Sequence, residues 1–126
     1  MIITNPVRQA LADQFDATIN TATPPADLVF ETVGDTALVT CALNNPAFGS
    51  ATTAGVLTLD VTPAVSGTAT GAGDAVQASI FDGAATKMCE FTVNDTGTPE
   101  ISISNNTIAV SDVVQVTSLV VTMPAS

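Results

Sequence analysis

The side chains of this sequence that could do chemistry are carboxylates and two cysteines. There are 12 Asp and Glu residues against 2 Lys and Arg, with no His and a formal net charge of −10. Without His, the commonest general base and metal ligand is missing, which excludes Ser-His-Asp and Cys-His nucleophile systems and His-based zinc sites. We therefore expect no enzyme and no cofactor, and the sequence nominates no catalytic, cofactor-binding or metal-binding residue.

Most of the carboxylates fall in expected turns or at outward-facing strand positions. They are Asp27, Glu31, Asp35, Asp60, Asp74, Asp82, Glu90, Asp95, Glu100 and Asp112. Some of them could converge to hold Ca²⁺, which takes oxygen ligands, or to act as an acid–base pair on a glycoside. No calcium loop of the DxDxDG type is present. Solvated turn carboxylates are the favoured interpretation, and a cation site and acid–base catalysis stay as alternatives.

Cys41 and Cys89 are far apart in the sequence and form no CxxC motif. Two buried free thiols are the favoured interpretation, with one disulfide as the alternative. A reactive thiolate is the remaining option, since Lys87 is the only basic residue beside either cysteine.

Length and charge limit the class of protein. A chain of 126 residues fits a single domain spanning 1–126, in which residues 1–4 form an arm, 5–20 a helix and 26–123 a β domain. The acidic excess repels nucleic acid, so we expect no nucleic-acid partner. No run approaches the ~20 apolar residues of a membrane span, and the first residues lack the pattern of a signal peptide, so we expect no membrane partner and no export.

The one helix expected from the sequence covers residues 5–20. Asn5 can cap it, Pro6 suits its first position, and apolar residues recur every fourth position at Val7, Leu11, Phe15 and Ile19. Asp13 and Asp16 fall off this stripe and would face solvent. The stripe should pack on the protein's own sheet, with burial on another subunit as the alternative.

After Pro25 the sequence reads as short strands separated by turn signals about every 8–12 residues. Strands are expected at 28–33, 36–43, 56–62, 76–81, 87–93, 101–103, 108–110 and 113–123, with a hairpin at Asp82-Gly83 and a β-bulge near Ser118. Residues 66–73 suit either a flexible loop or a flat, closely approached strand. Residues 94–99 and the two Asn-x-Thr sequons, at Asn94 and Asn105, are interpreted as turns. The predicted fold is mainly β: an antiparallel β-sandwich or barrel of seven to nine short strands preceded by one N-terminal α-helix.

Ile2 and Ile3 are the candidate interface residues, because they precede the helix cap in the arm of residues 1–4. They could staple onto the helix or add to a neighbouring subunit. If they add to a neighbour, the arm matters for assembly more than for folding.

Three blocks carry a resemblance: residues 5–15 (NPVRQALADQF), residues 67–71 (GTATG) leading to 80–83 (IFDG), and residues 103–110 (ISNNTIAV). They resemble small virion proteins of tailed bacteriophages, which have an Arg-containing N-terminal helix, a hairpin like that at Asp82-Gly83 and an ending similar to residues 114–119. The chain departs from that pattern before the hairpin turn, where Val76, Ala78 and Ser79 stand in place of aromatic residues.

The resemblance implies a virion structural role in one of two forms. A capsid decoration (cement) protein would sit on the outer capsid surface, bind the major capsid protein and other copies of itself, and be made in the host bacterial cytoplasm. A tail or fibre component would bind a host receptor such as a glycan. Glycan binding usually uses aromatic platforms, and the chain has no Trp or Tyr, so the cement hypothesis is preferred.

Overall fold

The computed structural model describes residues 1–20, 25–93, 101–103 and 106–125. Within them, one helix, α1 (Asn5–Asn20), precedes eleven short strands. The strands are β1 (Asp27–Glu31), β2 (Ala37–Ala42), β3 (Val56–Thr58), β4 (Val65–Thr68), β5 (Gly73–Asp74), β6 (Gln77–Phe81), β7 (Lys87–Thr92), β8 (Ile101–Ser102), β9 (Thr107–Ile108), β10 (Val113–Val116) and β11 (Ser118–Thr122). The mainly β fold with one N-terminal helix is confirmed, although the strands are shorter and more numerous than expected.

The strands form several small sheets in which every pairing between them is antiparallel. The largest sheet has the order β2-β1-β6-β7, and the others are β10-β4, β3-β11-β8 and β5-β9. Each sheet is open within the described residues. The arrangement is compatible with the expected sandwich, and it contains no closed barrel among those residues.

The core follows from the two-residue period of the strands. In β1, Leu28 and Phe30 are fully buried, while Asp27 and Val29 on the opposite face are only half-buried. Buried side chains from all parts of the described fold join in one cluster. Each large apolar side chain removed from water there contributes about 1.5–3 kcal/mol to folding.

A β-bulge interrupts the alternation of buried and exposed side chains in β2, the strand expected at 36–43. Phe30 pairs with Val39, but the next residue, Glu31, pairs with Ala37, so Leu38 is the extra residue in β2. Leu38 and Val39 are consequently both buried although they are neighbours in the chain.

The bulge predicted near Ser118 is a change of sheet instead. β10 pairs with β4, and after Thr117 the chain continues as β11, which pairs with β3 and β8. The buried positions shift from Val114 and Val116 to Leu119 at this point. A bulge and a change of sheet produce the same shift in the sequence pattern, which is why the pattern alone gave the wrong assignment.

Two other expected strands also differ from the structure. The strand expected at 56–62 ends at Thr58, although Leu57 and Leu59 are buried as predicted. Residues 66–73 include β4 rather than a flexible loop. A Cβ on Gly67 would lie 2.2 Å from the carbonyl oxygen of Thr40, so the closely approached strand is the correct alternative.

Some expectations lie outside the described residues. These are the turn at 94–99 and the Asn residues of both sequons. No helix in the described residues is long and apolar enough to cross a membrane.

Candidate functional site

The N-terminal half of α1 leaves apolar side chains uncovered. Ile19 is fully buried and Phe15 packs against Phe48 with ring centroids 6.1 Å apart, whereas Val7 is 51% and Leu11 43% exposed. The prediction that the whole stripe packs on the protein's own sheet is therefore wrong for its first two members. Ala12, which lies off the stripe, is buried in their place.

The contacts of Arg8 explain this rotation of the helix. Its Nε donates a hydrogen bond to the Met123 carbonyl oxygen at 3.0 Å. The helix backbone at Arg8 also lies so close to Gly55 that a Cβ there would be 2.7 Å from the Arg8 carbonyl oxygen. Because Arg8 faces the body of the protein, Val7 and Leu11 turn outward.

Asp16 does not face solvent as predicted. It is half-buried and accepts a hydrogen bond of 2.8 Å from Asn20 Nδ2. Burial raises the pKa of this carboxyl above its ordinary value, and the Asn20 hydrogen bond opposes the shift. Asp16 therefore belongs to the contact that holds the end of the helix, where Asn20 also accepts a hydrogen bond from the Ala47 amide at 3.0 Å.

The arm of residues 1–4 carries further exposed apolar side chains. The Ile3 amide donates to the Ala125 carbonyl oxygen at 2.6 Å, so the arm is fixed by its backbone. Ile2 is nevertheless 84% exposed, and so it forms no staple on the helix, while Ile3 is half-buried. We call Met1, Ile2, Val7 and Leu11 the N-terminal apolar face.

A second, only partly covered surface is the outer face of the sheet β2-β1-β6-β7, which we call the acidic sheet face. Asp27, Val29 and Glu31 of β1 lie on it, beside Phe81 and Ser79 of β6. It contains a groove of about 420 Å³ whose carboxylate lining residues are Asp27, Glu31, Asp35 and Asp82. Val29, Ala37, Phe81 and Ala85 supply apolar lining.

Lys87 is the only basic residue on this face among the described residues. Its Nζ lies 3.1 Å from Glu90 Oε2 and 3.8 Å from both Glu31 Oε1 and Asp35 Oδ1. It also lies 5.8 Å from the centroid of the Phe81 ring. The hydrogen bond to Glu90 and the charges of the other carboxylates raise the pKa of Lys87 above its ordinary value.

Two neutral side chains complete this cluster. Ser79 Oγ donates a hydrogen bond of 2.6 Å to Glu31 Oε1, and Gln77 Nε2 donates to Asp35 Oδ1. Glu31 is only 4% exposed and Ser79 is fully buried. The carboxylate oxygens of Glu31, Asp35 and Glu90 lie within 4.8 Å of one another, which is the geometry of the cation site left open by the sequence. The Lys87 ammonium supplies positive charge to all three.

Asp27 lies at the opposite end of β1 from Glu31, and its surroundings differ from those of the Lys87 cluster. No hydrogen bond or ion pair to its carboxylate is found within the described residues. It is half-buried, and burial raises its pKa above the ordinary value. The groove therefore exposes one partly desolvated carboxylate whose charge is not compensated.

Neither Cys41 nor Cys89 forms a disulfide. Cys41, Leu28, Ile80 and Cys89 form one row across the four-stranded sheet, so the two cysteines stand three strand spacings apart, about 14 Å. That separation is too large for a disulfide. Cys41 is buried as predicted, whereas Cys89 is only half-buried.

The chain matches no protein-family model, no curated protein and no solved structure. The resemblance to phage virion proteins therefore rests on the three sequence blocks. The sequence singled out Ile2 and Ile3 but missed the convergence of Glu31, Ser79 and Lys87. These residues lie on three different strands, β1, β6 and β7. The sequence indicates that they share one face only once the pairing of β1 with β6 is known.

Proposed function

We propose that this chain is a structural subunit of a tailed-bacteriophage particle, a capsid decoration protein that binds the outer shell and stabilises contacts between capsid subunits. The observation that carries the proposal is the N-terminal apolar face. It joins an arm fixed by its backbone to an uncovered helix surface. The sequence resemblance supplies the virion context.

The charge of this region suits a lasting protein contact. The chain carries 12 carboxylate residues, yet the first of them is Asp13, so residues 1–12 have none. A partner can therefore cover Met1, Ile2, Val7 and Leu11 without burying an acid of this segment. Removing apolar area from water favours the bound state by about 25 cal/mol per Å² before the costs of association.

Decoration would then act by mass action. A subunit that binds the assembled shell better than its separated parts shifts the equilibrium toward the shell. When one copy touches more than one capsid subunit, or binds other copies, its contacts act together. Apolar contacts of this kind are screened little by salt. They are important for this chain because its two basic residues can form few ion pairs.

The proposal is tested by adding purified protein to particles that lack it. The double variant Val7→Asp, Leu11→Asp should keep the melting temperature of the isolated protein but lose binding to particles. Val113→Asp is the matched control, because Val113 is 72% exposed but lies outside the N-terminal apolar face. Wild type and the control should bind saturably and delay heat-induced loss of DNA.

Equal binding of both variants would contradict a role for the N-terminal apolar face. Particles that resist heat equally well without the protein but fail to adsorb to cells would favour the second candidate, a tail or fibre component that binds a receptor glycan. The observation in favour of that candidate is the groove of the acidic sheet face, where carboxylates lie beside the Phe81 ring and could accept hydrogen bonds from sugar hydroxyls.

A further inference from the structure

We propose that the acidic sheet face is a docking surface for an extended basic segment of a partner protein, which places one arginine or lysine side chain against Asp27. This surface is separate from the N-terminal apolar face, and the inference does not depend on the virion role. The four strands present their inner side chains to the core and leave Asp27, Val29 and Phe81 along an open groove.

The charge of the face identifies the chemistry of the partner. Five carboxylates, those of Asp27, Glu31, Asp35, Asp82 and Glu90, share it with the single ammonium of Lys87. Lys87 reaches Glu31, Asp35 and Glu90, and no contact with Asp27 is found. A cationic side chain from outside is thus the complement that Asp27 lacks.

The shape of the groove favours a long side chain over a bare ion. Asp27 pairs with Phe81 across the strands, and Val29 lies two residues further along the same face. An arginine or lysine can lay its aliphatic stem on Val29 and Phe81 while its charged end meets the carboxylate. Ca²⁺ instead needs six to eight oxygen ligands, and apolar side chains line this part of the groove.

Lys87 shows within the chain that the face accepts such a group. Its ammonium lies among carboxylates and 5.8 Å from the Phe81 ring centroid. Phe81 pairs with Lys87 of β7 on one side and with Asp27 of β1 on the other. A partner's cation at Asp27 would therefore lie across β6 from Lys87. The repulsion between the two cations would weaken docking, so neutralising Lys87 should strengthen it.

The experiment titrates the full chain with the capped peptide acetyl-Ser-Val-Arg-Val-Ser-amide and measures affinity by chemical-shift changes. The same peptide with citrulline, which is neutral and of equal shape, should bind about tenfold more weakly or worse. Asp27→Asn should cause a similar loss. Asp13→Asn removes an equal charge from an exposed position on α1 and should leave the affinity unchanged. Lys87→Gln should increase it.

Each alternative outcome overturns the proposal. Equal affinity for the citrulline peptide would mean that charge is not recognised, and equal losses in Asp27→Asn and Asp13→Asn would mean non-specific attraction to an acidic protein. Absence of binding at millimolar peptide is a third such result. Binding of Ca²⁺ alone, abolished by Asp27→Asn, would identify a cation site instead.

Melting temperatures of the variants establish that each one is folded. Asp27→Asn should be at least as stable as wild type, because burial of Asp27 disfavours its charged form.

Discussion

Glu31 illustrates how single residues decide what the acidic sheet face can do. Its side chain is buried, and its Oε1 atom accepts a hydrogen bond from the Ser79 hydroxyl and pairs with the Lys87 ammonium. A buried carboxylate is tolerated when hydrogen bonds and a counter-charge replace the water it has lost. Because the buried Glu31 carboxylate needs this hydrogen bond, Ser79 is required by the structure, although the sequence alone indicated no role for it.

Ser79→Ala should therefore destabilise the protein by about 1–3 kcal/mol, because Glu31 Oε1 loses a buried hydrogen-bond donor. Ser66→Ala is a suitable control, since Ser66 is exposed on β4. The free energies of unfolding are obtained from urea titrations. Equal effects of the two substitutions would show that the hydrogen bond of 2.6 Å contributes nothing to stability.

The cysteines should differ in reactivity with thiol reagents. Cys89 is half-buried and should react first in the folded protein, whereas Cys41 is fully buried and should react only as the protein unfolds. Mass spectrometry of the labelled peptides distinguishes the two. A native mass two units below that of the dithiol, or immediate labelling of Cys41, would contradict the structure.

The stability of the protein should also fall in alkali because of Cys41. Burial, aided by the charge of Asp27, raises the pKa of its thiol from 9.0 to about 11. The unfolded chain loses the proton first, so the free energy of unfolding decreases from pH 9 and the loss is complete above pH 11. Linkage gives a total of roughly 2–3 kcal/mol. Cys41→Ala should flatten this decline relative to wild type, and parallel pH profiles would exclude the thiol as its cause.

At the scale of elements, the docking of α1 determines which apolar residues remain uncovered. The helix bounds were predictable from Asn5, Pro6 and the four-residue spacing, because capping and periodicity are local signals. Its rotation was not, since this depends on Arg8 meeting Met123 and Gly55, residues far away in the chain. The exposure of Val7 and Leu11 could thus be found only in the folded protein.

Gly55→Ala should disturb this docking. Gly55 has a φ of 74°, and an added Cβ would meet the backbone of Arg8 at 2.7 Å, so both strain and a clash oppose the substitution. We expect a loss of about 1–3 kcal/mol in thermal unfolding. Gly49→Ala, where a Cβ would meet nothing within 4 Å, should change stability by less than about 0.5 kcal/mol. Similar losses at both glycines would contradict the close contact of α1.

The sheets show the same division between local and distant information. The hairpin of β6 and β7 around residues 82–86 was predictable from Asp82-Gly83, and Asp82 indeed accepts hydrogen bonds from the amides of Ala84 and Thr86. The pairing of β1 with β6 joins residues about fifty positions apart, and no turn signal specifies it. Because that pairing assembles Glu31, Ser79 and Lys87, the acidic sheet face was invisible in the sequence.

For the whole molecule, the fold separates two kinds of surface. The N-terminal apolar face lies on a segment without carboxylates, whereas the acidic sheet face carries five carboxylates and one lysine, which pairs with three of them. A subunit with two chemically different surfaces can contact two different neighbours at once. Such bivalent contact is what the proposed role between capsid subunits requires.

The number of copies per particle tests the proposed role most directly. Quantitative mass spectrometry of purified particles, scaled to the major capsid protein, gives this number. A decoration protein covers equivalent sites over the whole shell, so we predict hundreds of copies. A few copies, or a few dozen, would contradict capsid decoration and favour the tail or fibre alternative, and absence of the chain from purified particles would contradict both.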